Sequence, residues 1–223
     1  MPALSLPEAL FILALSDEKL KVHHVVEVPF SYGFNGAILA ELALRGKIGL
    51  KPKGKVVLLN ADLCADDVLD GVLTRIVSLD HSAKVHYWIE NLSGRYRKTQ
   101  KLMSGYLLQK GVFKIDESQK LIWAVPFQTD AVSVNAPAKY LIKQELRQAL
   151  LTEEPPSDFD LALLYLVYTC SMMFLVFTRD EQKFASRRLE SLVRGKEIVS
   201  PLTDALEIIK ITTVSAALLA LAK

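Results

Sequence analysis

The chain has 223 residues, 51% of them hydrophobic and 23% charged, with a formal net charge of +2. That length supports a sizeable core, and the near-balanced charge excludes the broad basic excess of a generic nucleic-acid binder. Cys64 and Cys170 are too few and too far apart for a disulfide framework or a zinc site, so a reducing, intracellular setting is the expectation.

The N-terminus carries no basic n-region or cleavage site of a secretory signal. Ser5-Leu6-Pro7-Glu8 reads as a capping box with Pro early in the helix, so a first helix should run to about Ser16-Asp17. Residues 20–28, "LKVHHVVEV", are β-branched and predict an extended segment, with Pro29 turning Val28 away from helix. Ser31 then serves as the expected cap of a helix that is apolar nearly all round to Leu44. Its strongly polar, non-aromatic members are Asn35 and Glu41, and it stops at Arg45-Gly46-Lys47. An all-round apolar helix belongs in the centre of a core.

Residues 54–60 read as a strand, and 66–79, 83–92 and about 95–110 as helices, the last stopping at Gly111. "VFKIDESQKLIWAVPF", 112–127, alternates around a polar turn and predicts a β-hairpin. Four helices follow, near 136–151, 157–177, 180–194 and 201–222. The apolar run Leu161–Phe177 is shorter than the roughly 20 residues a membrane span needs, contains Thr169, Cys170 and Ser171, and is assigned to the core. With no low-complexity linker or fixed repeat, residues 1–223 read as a single compact, mainly α-helical domain with a few short strands.

Asp66-Asp67-Val68-Leu69-Asp70 fits the DDxxD pattern by which helical enzymes hold magnesium and a diphosphate. That chemistry needs a second carboxylate set, which the chain lacks, and acids in a first helical turn complement the helix dipole. His81 and His86 do not share a helical face, and His23 and His24 point to opposite faces of a strand. With no nucleophile elbow, phosphate loop or dinucleotide fingerprint, neither catalysis nor a metal or other cofactor is expected.

The basic stretch "GRYRKTQK", 94–101, is more informative. Arg97, Lys98 and Lys101 fall within about 100° of arc on one helix face with no acid among them, and Arg and Lys are the usual phosphate contacts. Trp123, with Leu121 and Phe127 on the expected hairpin, suits a lipid interface, the domain itself or a second subunit.

Together these segments resemble the Golgi phosphoprotein 3 family. The resemblance rests on "LPEALFILALSDE" (6–18), "GFNGAILAELALRGKI" (33–48), "VLDGVL" (68–73), "WIENLSG" (88–94), "LLQKGVF" (107–113) and "DEQKFASRRLESLV" (180–193). It implies a mostly helical domain with a small hairpin, binding phosphatidylinositol 4-phosphate at a membrane surface. In eukaryotic members the headgroup pocket uses a Trp ahead of the second helix, an Arg within it and two Arg on the basic helix. Here the first of those two falls on Arg97 and the second on Gln100, with Lys101 beside it. The Arg of the second helix falls on neutral Asn35, and residues 23–28 hold no Trp.

The function expected from the resemblance is a non-enzymatic peripheral membrane protein that recognises an anionic phospholipid headgroup, most plausibly phosphatidylinositol 4-phosphate. Arg97, Lys98 and Lys101 would supply charge, Asn35 and Gln100 hydrogen bonds, and the hairpin apolar membrane contact or a homo-oligomer interface. The rival is a soluble protein-protein adaptor of the same fold without the lipid site. The short N-terminus suggests a tail-less, minimal member of prokaryotic type, cytoplasmic and peripherally membrane-associated. The Golgi cytosolic face, where eukaryotic members help retain glycosyltransferases, applies only to a eukaryotic one.

Overall fold

The computed structural model describes residues 4–16, 22–79, 82–93, 96–115, 132–134, 136–194 and 201–221. It is mainly α-helical, as expected. The helices are α1 (Leu6–Ala14), α2 (Glu27–Leu44), α3 (Asp67–Ser78), α4 (Val85–Ser93), α5 (Tyr96–Gln109), α6 (Ala136–Leu151), α7 (Asp158–Thr169), α8 (Met173–Val176), α9 (Arg179–Arg194) and α10 (Pro201–Leu221). Two antiparallel strand pairs accompany them: β1 (Ile48–Lys51) with β2 (Lys55–Leu58), and β3 (Phe113–Ile115) with β4 (Val132–Val134).

α2 is the axis of the molecule. It packs along α10 and also touches α1, α4, α7 and α3, so apolar side chains point inward on nearly every side; Phe30, Phe34, Ile38, Leu39 and Leu42 are fully buried. Phe11 of α1 joins Phe30 and Phe34 in an aromatic cluster with ring centroids 5.6–6.3 Å apart. Gly33 lets α7 come close, since a Cβ there would lie 2.0 Å from the Cys170 sulfur. The helix ends where Gly46 adopts φ +65, and the amide of Lys47 donates to Leu42 O at 2.8 Å, closing the last turn as a left-handed Gly cap does.

The polar exceptions in this core serve the backbone and one another. The Glu8 carboxylate, fully buried, accepts from the amide of Ser5 (2.7 Å) and from Lys110 Nζ (2.7 and 3.0 Å). The Glu41 carboxylate accepts from the amide of Leu6 (2.8 Å) and from Arg45 Nε (2.7 Å). Two carboxylates therefore satisfy amides at the start of α1, and each meets a cation at the surface, so neither negative charge is buried alone. Burial works against the charge on Lys110, but its hydrogen bond and attraction to Glu8 outweigh this and its pKa is raised.

Several expectations need correction. The stretch expected to be extended over 20–28 is instead, in its described part, a single bridge at Val22 to Leu15, a 3₁₀ turn over His24–Val26 and the first turn of α2. The chain folds back on α1 through His23 N donating to Ala14 O (2.8 Å), and buried Val26 fixes the turn against the core. α2 consequently starts at Glu27 rather than after Ser31, with Pro29 in the first turn, where its missing N–H costs nothing. The Ser31 hydroxyl donates back to Val28 O (2.8 Å). His23 and His24 do not diverge: their rings stack at 5.2 Å.

The helix expected over 157–177 is broken. Ser171 takes φ +59, the amide of Met172 donates to Val167 O (2.8 Å), and the chain restarts as short α8. No helix among the described residues is long and apolar enough to cross a membrane. The β3 ladder pairs Phe113 with Val134 and Ile115 with Val132, so its described partner strand lies beyond residue 127. Leu121, Trp123 and Phe127 lie outside the described residues.

Candidate functional site

α5 begins at Tyr96, and no acidic residue lies in its first turn. Its apolar residues recur at helical spacing, and Met103 and Leu107 anchor one face with no exposure. At about 100° per residue, Lys98, Lys101, Leu102, Gly105 and Gln109 share the opposite stripe, Arg97 stands at its edge, and Gln100 turns towards the core. The burial pattern agrees: Lys101, Leu102, Gly105 and Gln109 are exposed and Gln100 is half-buried.

This outer stripe borders a cleft of about 460 Å³ against the start of α3, lined by Asp67, Val68, Lys101, Leu102, Tyr106 and Gln109 among others. Tyr106 ties the two walls, its hydroxyl reaching Ala65 O at 3.4 Å. Its ring lies under Lys110 Nζ, 4.6 Å from the centroid. Since Lys110, one residue past α5, also meets Glu8, it ties the C-terminal end of the helix to the core. Lys101 lies in the N-terminal half of this helix, and Asp67 brings one carboxylate to the facing wall.

The expected site residues do not all lie on this surface. Asn35 sits in the middle of α2 and is only 1% exposed. Gln100 accepts from the Ser104 hydroxyl through its backbone carbonyl (3.0 Å). Lys101 lines the cleft. Arg97 and Lys98 are placed by the backbone of the first turns of α5.

A model of the Golgi phosphoprotein 3 (GPP34) family matches residues 6–209, from the first residue of α1 into α10. The chain belongs to that family. The matched span takes in the Glu41–Arg45 pair of the ELALRG segment. Sequence reasoning missed that pair as a structural device, although its four-residue spacing on a helix was the available signal.

Within this Golgi phosphoprotein 3 scaffold, two of the three DDxxD carboxylates accept from backbone amides. Asp66 caps α3, accepting from Val68 N (3.0 Å) and Leu69 N (3.1 Å). Asp70 accepts from Cys64 N (2.6 Å) and Asp66 N (3.2 Å). No group of three His, Cys, Asp or Glu among the described residues could hold a metal ion. His86 pairs with Glu90 at 3.0 Å on the surface of α4. The Cys64 thiol is pushed up by burial, which makes it a poor nucleophile at neutral pH.

Proposed function

We propose that this protein is a peripheral membrane protein that reads an anionic phospholipid headgroup, with phosphatidylinositol 4-phosphate as the assigned lipid, through the N-terminal half of α5. The observation that carries the reading is the outward face of that helix. Lys101 is exposed on it, Lys98 shares its stripe, Arg97 borders it, and Lys110, just past the end of the helix, pairs with Glu8. A phosphomonoester carries between one and two negative charges near neutral pH, and a helix start with no acid in its first turn and Arg and Lys beside it is favourable for such a group. Asn35, buried in α2, would reach a headgroup only if α2 and its neighbours moved, so charge from α5 supplies the attraction.

Membership of the Golgi phosphoprotein 3 family supports this reading. The hairpin residues Leu121, Trp123 and Phe127 would add apolar contact with the bilayer or with a second copy. Flotation with phosphatidylcholine vesicles, with and without phosphatidylinositol 4-phosphate, tests the proposal. Wild type should float better with the phosphoinositide than without it, and Arg97→Ala should lose most of that gain. Indifference of wild type to the phosphoinositide would leave the soluble adaptor as the better reading.

A further inference from the structure

We propose that the space between α2, α7 and α10 is a binding pocket for a single uncharged alkyl chain. Three helices wall it: Val28 and Pro29 from α2, Leu166 with the adjoining Cys170 from α7, and Ile209 from α10. Its volume is about 230 Å³, larger than the roughly 150 Å³ at which apolar cavities stay dry and accept a benzene-sized guest.

The chemistry of the lining selects the guest. No described lining residue is charged. Three threonines border the space, but their hydroxyl hydrogens are engaged by their own helices: Thr169 donates to Leu166 O (3.2 Å), Thr212 to Ile208 O (2.8 Å) and Thr213 to Ile209 O (3.0 Å). A polar guest would lose its water without finding a donor among them. The remaining side-chain heteroatoms of the lining are the Tyr32 hydroxyl, a single polar point that suits the hydroxyl end of an alcohol, and the Cys170 sulfur, whose thiol is pushed up to about 12 by burial and stays neutral. Gly33 sets the depth of this wall, because any side chain there would collide with that sulfur. Val28, 63% exposed, brings an apolar side chain to the rim.

The pocket is independent of the headgroup proposal, and its probe is chosen to keep the two apart. A series of n-alcohols from butanol to decanol carries no phosphate and no charge. Binding followed through the methyl NMR signals of Val28, Leu166 and Ile209 should saturate. Affinity should rise about fourfold per added methylene and level off once the pocket is full. Val28→Trp at the rim and Thr213→Phe on the α10 wall should each weaken octanol binding at least tenfold while circular dichroism stays native. Shifts spread over the surface, a rise with no plateau, or unchanged binding in both folded variants would overturn the proposal.

Flotation with neutral phosphatidylcholine vesicles identifies the source of the chain. Lower recovery of Val28→Trp than of wild type marks the guest as a bilayer acyl tail. Equal recovery, with alcohol binding lost, marks it as a free apolar molecule.

Discussion

α2 and α5 are both long helices in the region matched to the family, and they treat charge in opposite ways. α2 is enclosed on nearly every side, and its Glu41 is consumed by an amide of α1 and by Arg45. α5 buries a single face through Met103 and Leu107 and exposes Lys101 and its neighbours. The segment of the sequence that is most recognisable therefore specifies the scaffold, whereas the proposed headgroup affinity is left to a half-exposed helix. A substitution in the buried core of α2 should register as stability, and one on the outer face of α5 as headgroup binding.

The largest effect should follow Glu8→Ala. It would leave the Lys110 ammonium without its partner and the Ser5 amide unsatisfied in a buried site, a loss of about 3 kcal/mol readable from the urea midpoint. Gly33→Ala should cost about 2 kcal/mol by overpacking α2 against Cys170. Combining it with Cys170→Ala should recover much of that loss. Asp66→Ala removes the α3 cap and should cost about 1 kcal/mol, while added magnesium leaves the wild-type melting temperature unchanged.

Away from both helices, Arg147 grips Glu181 through both guanidinium nitrogens (2.6 and 2.5 Å). With the backbone amide of Thr178, that hydrogen bonding holds the Glu181 carboxyl down to about 2. A carboxyl lowered on folding adds stability above its unfolded pKa, near 4.5, and loses it as pH falls towards 2. Glu181→Gln should therefore be less stable than wild type at pH 7, and the gap should narrow in acid unfolding below about pH 5. Smallest in stability is Lys101→Ala, which should stay within about 0.5 kcal/mol of wild type.

The helices were legible because their apolar residues recur at 3.6-residue spacing; α3, α6 and α9 start and stop within a residue of expectation. The extended reading of 20–28 failed because local β-branching was outweighed by the burial of Val26 and by backbone pairing to α1. The break at Ser171 carries no glycine or asparagine to announce it, so a continuous helix was the natural reading. The Glu8–Lys110 pair joins residues 102 apart, which no local pattern exposes. At the candidate site the basic face was visible from spacing alone. The burial of Asn35 was not, because its position in the chain resembles a headgroup contact while its place in the fold is the interior of α2.

The most direct test of this division pairs two readouts on one variant, Lys98→Ala/Lys101→Ala: affinity for vesicles containing phosphatidylinositol 4-phosphate, and the urea midpoint. At about 1 kcal/mol for each cation near an anionic surface, affinity should fall by about thirtyfold while the midpoint holds. Unchanged affinity, or a loss that tracks a lowered midpoint, would contradict the assignment of binding to α5.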